Sequence, residues 1–301
     1  MIKKVSEILE KAKAYEKKIA IAAADDETVL EAAKKAQNIG IADFYLCGNK
    51  SKIKEILKKI DADAGLFEIL DTKDTNTAAE KAAELVKDGQ AHTVMKGAIK
   101  TGSLLKVLLR DEYGFKTGKT MSLNGVFEIP GFERLLILSD PGLVIAPTLA
   151  QKVDLIKNTI QVANALGNEM PKVGVVGAVE VVNPKMPPTM DAAILSKMAD
   201  RGQIKGAIVD GPFALDNVVS IEAARHKGIE SPVAGKADII IAPNIEAANM
   251  LYKALVFLAR AKLATSILGG SVPIVLTSRS DSDETKLNSI ALNVLLSEVV
   301  R

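Results

Sequence analysis

Ile19-Ala20-Ile21-Ala22-Ala23-Ala24-Asp25-Asp26-Glu27-Thr28-Val29-Leu30 reads as a buried strand that runs straight into the first turn of a helix. An apolar run this short is too brief for a buried helix, and its lack of alternation indicates a strand covered on both faces. Asp25 or Asp26 supplies an N-cap carboxylate. Val29, Leu30, Ala33 and Ala36 then share one helical face, and Gly40 closes the helix. Outward from this unit the same rhythm repeats. Val5, Ile8, Leu9 and Ala12 mark a helix before it, and Phe44-Tyr45-Leu46-Cys47-Gly48 is the next apolar run. Leu66 to Leu70 reads as a strand, Asn76 as the cap of a helix through Ala79, Ala82, Ala83 and Val86, and Thr93-Val94-Met95 as another strand. Strands alternating with crossover helices predict an α/β fold built on largely parallel sheets.

The rhythm changes in the middle of the chain. Met121 to Ile129 and Arg134 to Ser139 are extended segments joined by Pro130-Gly131-Phe132-Glu133, which predicts a hairpin. A second α/β series follows, with strands at Val173–Val176, Gly206–Val209, Asp238–Ile241 and Pro273–Leu276. Helices start near Thr148, Pro188, Asp216 and Ile245, and a last one runs from about Asp283 to Val300 with Leu287, Ile290, Ala291, Val294 and Leu295 at helical spacing. At 301 residues the chain is long for one core. Two domains are expected, one from residues 1–128 plus 277–301 and the other from 129–276, with the site in the cleft between them. Ligands of such sheets gather outside the carboxyl ends of the strands.

Composition removes several function classes. Lysine and arginine total 39 against 37 acidic residues, aromatics are 4% and tryptophan is absent, so nothing marks a nucleic-acid partner. No stretch approaches the roughly 20 apolar residues that cross a bilayer, and Met1 to Glu16 lacks a signal-peptide core. The single cysteine, Cys47, sits at a strand end and suits a reducing compartment, so a cytoplasmic protein is expected. Two separated histidines, His92 and His226, supply neither a zinc site nor a Ser-His-Asp triad. The usual nucleotide fingerprints are absent as well.

Polar clusters at the ends of predicted strands remain. Thr277-Ser278-Arg279-Ser280-Asp281-Ser282-Asp283-Glu284-Thr285-Lys286 lies between a strand and the last helix. Ser282 or Asp281 with Glu284 suffice as caps. A cation beside a helix N-terminus opposes the dipole, however, and Arg279 there calls for a bound anion. Asp210-Gly211-Pro212 follows a predicted strand and serves as a tight turn or as a catalytic acid, with Asp216 as the next cap. Asn183-Pro184-Lys185-Met186-Pro187-Pro188-Thr189 is a stiff loop. Lys96-Gly97 and Thr101 to Ser103 follow another strand, where Gly97 lets the backbone approach a ligand and Lys96 and Lys100 supply charge.

Several of these stretches carry a resemblance. Asn183-Pro184-Lys185-Met186-Pro187, Leu195-Ser196-Lys197-Met198-Ala199-Asp200-Arg201-Gly202-Gln203-Ile204-Lys205-Gly206, Val209-Asp210-Gly211-Pro212 and Leu276-Thr277-Ser278-Arg279 are similar to those of the phosphate acetyl/butyryltransferase family. Val233-Ala234-Gly235-Lys236-Ala237-Asp238 and Pro243-Asn244-Ile245-Glu246 agree. The resemblance implies a two-lobed, three-layer fold like that of isocitrate and isopropylmalate dehydrogenases, a homodimer, and neither metal nor prosthetic group. It implies acyl transfer between coenzyme A and inorganic phosphate, both of them substrates. Ser278 and Arg279 match a Ser-Arg pair that handles the phosphate. The catalytic set is then Ser278, Arg279, Asp281 and Glu284. The substrate-binding set is Lys96, Gly97, Thr101, Ser122, Asn183, Lys185, Asp210, Lys236 and Asn249.

The chain also departs from the family pattern. Acetyl enzymes carry an acidic residue, proposed as the thiol base, where this chain has Thr285; Asp281, Asp283 and Glu284 are the acids nearby. Butyryl enzymes usually read Ser-His-Val where this chain has Ser122-Leu123-Asn124, and the Asp140-Pro141-Gly142-Leu143-Val144 loop is unusually apolar. The expected activity is a butyryl or branched-chain phosphate acyltransferase. The alternatives are an acetyl-CoA preference, a dehydrogenase of the same fold group, and a non-catalytic CoA or acyl-phosphate binder.

Overall fold

The computed structural model describes residues 1–278 and 281–300 and divides the chain into two compact units. A terminal unit takes Val5–Gly118 and Ala264–Arg301, and a central unit takes Met1–Lys4 and Lys119–Leu263. The terminal unit begins α1 (Val5–Ala12), β1 (Lys18–Ala22), α2 (Glu27–Asn38), β2 (Asp43–Gly48), α3 (Lys50–Lys59), β3 (Glu68–Asp71), α4 (Thr75–Lys87), β4 (Thr93–Lys96) and α5 (Thr101–Leu108). The central unit holds β5 (Ser122–Glu128), β6 (Leu136–Ser139), α6 (Leu149–Ala165), β7 (Lys172–Val176), α7 (Pro187–Asp200), β8 (Ile208–Phe213), α8 (Leu215–Val219), α9 (Ile221–His226), β9 (Ile239–Ile241) and α10 (Ile245–Lys253). The chain returns to the terminal unit through β10 (Lys262–Leu268), β11 (Ile274–Val275) and α11 (Asp283–Val299). These divisions fall earlier than the expected 128/129 and 276/277. β5 groups with its hairpin partner β6, and β11 with its neighbour β4.

In the terminal unit the strands lie in the order β3-β2-β1-β4-β11-β10. All neighbours are parallel except β10 and β11, which meet antiparallel at Ile267 and Ile274. Residues 19–24 are fully buried, as their unbroken apolar run requires. Asp26, the second of the two candidate caps, accepts the Val29 N–H, and the N–H groups of Gly40 and Ile41 return to Gln37 and Ala36 to close α2. α4 starts two residues earlier than expected, because Asp74 and not Asn76 is its cap.

α11 is buried around most of its circumference and packs against α1 and α2 as well as β4 and β11. Its polar interior residues are paired. Asn293 donates to the carbonyls of Thr265 and Ser289 and accepts from Ser266, while Ser289 accepts the Thr265 N–H. This network fixes α11 to β10. It also explains why β10 escapes the sequence reading: Thr265 and Ser266 are fully buried polar residues whose partners come from 24 to 28 residues downstream.

The central sheet runs β5-β6-β9-β7-β8, with β5 and β6 antiparallel through Val126 and Ile137 and the rest parallel. The expected hairpin is therefore present. α6 opens on a reciprocal cap between Thr148 and Gln151, and α10 on Asn244. α8 departs from expectation: Asn217, not Asp216, accepts the Ala214 N–H, and Asp216 instead pairs with Lys227. Buried Lys152 on α6 reaches Asp191 on α7 at 2.7 Å and ties those helices together.

Cys47 is buried, and burial pushes its thiol up to about 12. Thiolate is the reactive form. Native protein at pH 8 should therefore ignore a thiol-exchange reagent such as a disulfide chromophore, whereas denatured protein should release one equivalent. Rapid labelling of the native chain would contradict this burial.

Candidate active site

β11 runs parallel to β4 with Ile274 opposite Val94 and Val275 opposite Met95. The register sets the segment after β11 beside the segment after β4. Two polar clusters, Lys96–Thr101 and Thr277–Glu284, thus leave the same carboxyl edge of one sheet. The strand order reverses one strand away, between β1 and β4, since β2 lies on one side of β1 and β4 on the other. Such a switch point opens a crevice at the carboxyl ends.

Lys96 is the last residue of β4 and is 7% exposed, with its ammonium near the Gly97 carbonyl at 3.2 Å. Thr101 opens α5 and is half-buried, and Lys100 before it is exposed. Gly97 is expected to let the backbone approach a ligand, but what it approaches is β1. A Cβ there would stand 2.0 Å from the Ala23 oxygen, while Gly97 N–H donates to Ala22 and Ala98 N–H to Ala23. Its lack of a side chain is thus required by the fold.

Ser278 is exposed, and its N–H donates to the Asp281 carboxylate at 2.7 Å; the Asp281 N–H returns to the Ser278 carbonyl. Arg279 and Ser280 lie outside the described residues. Ser282 caps α11 by accepting the Thr285 N–H, one of the two caps the sequence allowed. Asp283 pairs with Lys35 at 3.3 Å and, chiefly through a hydrogen bond, pushes the Glu31 carboxyl up. Glu284 is exposed on the first turn of α11. Buried Lys286 donates to the Asp281 carbonyl and so anchors the loop to the helix.

The remaining candidates belong to the central unit, and the structure separates them. Ser122 is fully buried; its hydroxyl accepts from Asn158 at 2.9 Å, which removes it from any accessible surface. Asp210 does not follow a strand end, because β8 continues to Phe213. Its carboxylate accepts from Ser196 on α7, from Ser231 and from the Gly211 N–H, which makes it a tie between α7, β8 and the segment before β9. Asn183 accepts the Lys185 N–H in the loop between β7 and α7, and Lys185 is exposed. Asn249 on α10 donates to the Pro141 carbonyl at 2.9 Å. Lys236 precedes β9 and therefore sits at the amino edge of the central sheet, opposite the edge that Asn183 and Asn249 share.

Leu123 and the Asp140–Val144 loop, both singled out in the sequence as departures from the family pattern, make contacts in the central unit that the sequence does not reveal. Asp140 is 3% exposed, and its carboxylate accepts the N–H groups of Gly142, Leu143 and Val144. Burial pushes its carboxyl up, against those hydrogen bonds. Leu123 packs beneath the same loop: a Cβ on Gly142 would stand 2.7 Å from its Cδ2. Of the histidines, His92 accepts the Lys18 N–H, and burial followed by Lys17 pushes its imidazole down. His226 ends α9, exposed. Among the described residues no group of three or more His, Cys, Asp and Glu side chains is placed to hold a metal ion, and no helix is long and apolar enough to cross a membrane.

The family described as "Phosphate acetyl/butaryl transferase" matches residues 4–82 and 72–294, nearly the whole chain. The chain belongs to this family. It is 56% identical to the phosphate acetyltransferase of Thermotoga maritima, over 97% of this chain and 99% of that one. It is 52% identical to the phosphate butyryltransferase of Clostridium acetobutylicum, over 98% and 99%. Among solved structures, a branched-chain phosphotransacylase from Enterococcus faecalis superposes with a TM-score of 0.84 at 32% identity, covering 94% of this chain and 99% of that one. The phosphate acyltransferase family thus accounts for both units, and the Ser278 loop lies within the matched residues.

Proposed function

We propose that this phosphate acyltransferase family member moves a short acyl group reversibly between coenzyme A and inorganic phosphate, with butyryl or a branched relative as the preferred acyl group. The observation that carries the reading is the Ser278 loop, beside the segment after β4 at the carboxyl edge of the terminal sheet, in a chain that the phosphate acyltransferase family matches over nearly its whole length. A phosphate oxygen attacks the thioester carbonyl, a tetrahedral oxyanion forms, and CoA thiolate leaves as acyl phosphate is released. In reverse the thiol loses its proton and attacks acyl phosphate. Arg279 and the N-terminus of α11 hold the phosphate, and Ser278 donates to the tetrahedral centre. Lys96 and Lys100 meet CoA phosphates. Glu284, or Asp281 once its backbone bond is exchanged, takes the thiol proton. Orientation of the two bound substrates supplies much of the acceleration, up to ~7–11 kcal/mol.

An acetyl preference is the second reading, favoured by the 56% identity to an acetyl enzyme. The proposal includes a cytoplasmic homodimer that uses no metal or prosthetic group. The exposed stripe of Met186, Met190 and Ile194 along α7 is an apolar face of the kind that a second subunit covers. The deciding experiment is phosphate-dependent release of CoA from acetyl-, butyryl- and isobutyryl-CoA, read with a thiol reagent. Release only with phosphate supports the reaction, and the substrate ranking selects between the readings. CoA binding without release would overturn the proposal.

A further inference from the structure

Lys286 in the terminal unit is 2% exposed, yet the fold around it gives its charge no counter-ion. Among the described residues its ammonium donates to the Asp281 carbonyl at 2.5 Å and forms no ion pair. One carbonyl answers one of its three N–H groups. The acids nearest in sequence are engaged elsewhere or face solvent. Asp281 turns its carboxylate onto the Ser278 N–H, Asp283 pairs with Lys35, and Glu284 is exposed.

The place of Lys286 on α11 adds to the difficulty. Ser282 is the cap, so Lys286 closes the first turn of the helix, and helical side chains lean toward the N-terminus. The bond to Asp281, one residue before the cap, shows that this one does. Its ammonium therefore sits at the positive end of the helix dipole, where a cation is disfavoured. Burial, the missing counter-ion and the dipole all oppose a charge here. A methionine of similar length would fill the space without any of them, so stability of the fold does not by itself account for a lysine.

What the ammonium holds is the base of the Ser278 loop. The Ser278 N–H donates to the Asp281 carboxylate at 2.7 Å, and the Asp281 N–H returns to the Ser278 carbonyl at 3.2 Å. We infer that Lys286 is a positioning residue of the phosphate site, which fastens the 278–281 segment to α11 and keeps it electropositive for an anion. A phosphate or phosphoryl group bound there is the counter-charge that the fold itself omits. This rests on the proposed function and deepens it, since that function gives the phosphate to Ser278, Arg279 and the N-terminus of α11.

Two variants test it by urea unfolding and by phosphate-dependent CoA release from acetyl- or butyryl-CoA, whichever the parent uses faster. Lys286→Met removes the charge and the donor at similar size. Asp281 is half-buried, so water can take over its carbonyl. The urea midpoint should stay in place or rise, while kcat/KM for phosphate falls roughly 10²-fold through both KM and kcat. KM for the acyl-CoA should stay as in the parent. A lysine kept for the fold alone would do the reverse, lowering the urea midpoint and leaving phosphate kinetics intact, and that result overturns the inference. A rise in KM for both substrates alike would mark general loosening of the unit and overturn it too. Lys286→Gln keeps a donor and loses the charge, and should lower kcat/KM for phosphate about tenfold. It decides the matter if Lys286→Met does not fold, because parent phosphate kinetics in Lys286→Gln leave the charge with no part in the site. An active parent with unaffected variants loses only this inference. A parent that releases no CoA loses the proposed function and the role of Lys286 with it.

Discussion

Gly97→Ala is expected to lose about 3–5 kcal/mol of stability, a large part of the ~5–15 kcal/mol that holds a domain together. The new methyl would sit 2.0 Å from the Ala23 oxygen and 2.7 Å from the Ala22 oxygen, and both of these are backbone atoms. A flexible side chain could swing away, but these carbonyls accept the N–H groups of Gly97 and Ala98. Relieving the clash breaks one or both bonds and separates β4 from the turn after β1. That turn is already constrained, since Ala23 is fully buried with φ of 60°. Gly102→Ala is the control. It lies in α5 with nothing within 4 Å of its missing Cβ, so alanine there should be neutral or stabilising by about 0.5–1 kcal/mol. Urea unfolding of the two variants decides the matter. A Gly97→Ala protein as stable as the parent would show that the β1–β4 edge is not closed as described.

The fold was legible where local signals agree with the tertiary outcome. The apolar run before Asp25 and Asp26 became a fully buried strand, the cap and the closing glycine of α2 fell where expected, and α11 came within a residue of its boundaries. Errors arose where a distant partner supplies what a residue needs. The polar Thr265 and Ser266 obscure a strand until Asn293 and Ser289 are brought to them. The Asp210-Gly211-Pro212 stretch looks like a turn, yet β7 pairs with Asp210 and, across a register shift, with Phe213, so the strand runs through it.

The site was legible in part for the same reason. Strand-end position picked out the Lys96 and Ser278 clusters, and the pairing of β4 with β11 puts the two segments side by side. Strand-end position alone cannot tell an accessible hydroxyl from one that a neighbour consumes. Ser122 belongs to Asn158, and Asp210 to Ser196 and Ser231. Lys236 was chosen by resemblance and charge, and only the direction of β9 reveals that it leads into the sheet from the opposite edge.

Arg279→Ala should reduce kcat/KM for phosphate on the order of 10²–10³-fold while leaving urea unfolding unchanged. The segment that carries it is bracketed by two hydrogen bonds between Ser278 and Asp281, and Lys286 holds the Asp281 carbonyl to α11. The first turn of that helix already contains Asp283 and Glu284, and Ser282 already caps it. Neither helix stability nor capping therefore calls for a guanidinium three residues before the cap. The proposed reaction does call for one, to bind and neutralise the phosphate as it attacks a carbonyl. Loss of the guanidinium should then appear as a raised KM for phosphate with a lowered kcat, and KM for acyl-CoA should move little. Arg279→Lys should recover only part of the loss, because a point charge cannot reproduce the two-pronged contact. Raising the phosphate concentration should not restore the full rate of Arg279→Ala, since part of the stabilisation develops only in the transition state. If saturating phosphate does restore it, the guanidinium acts in binding alone, and the oxyanion must be carried by Ser278 and the N–H groups of α11. Phosphate kinetics identical to the parent would remove Arg279 from the site altogether and leave the reaction, if present, to the lysines after β4.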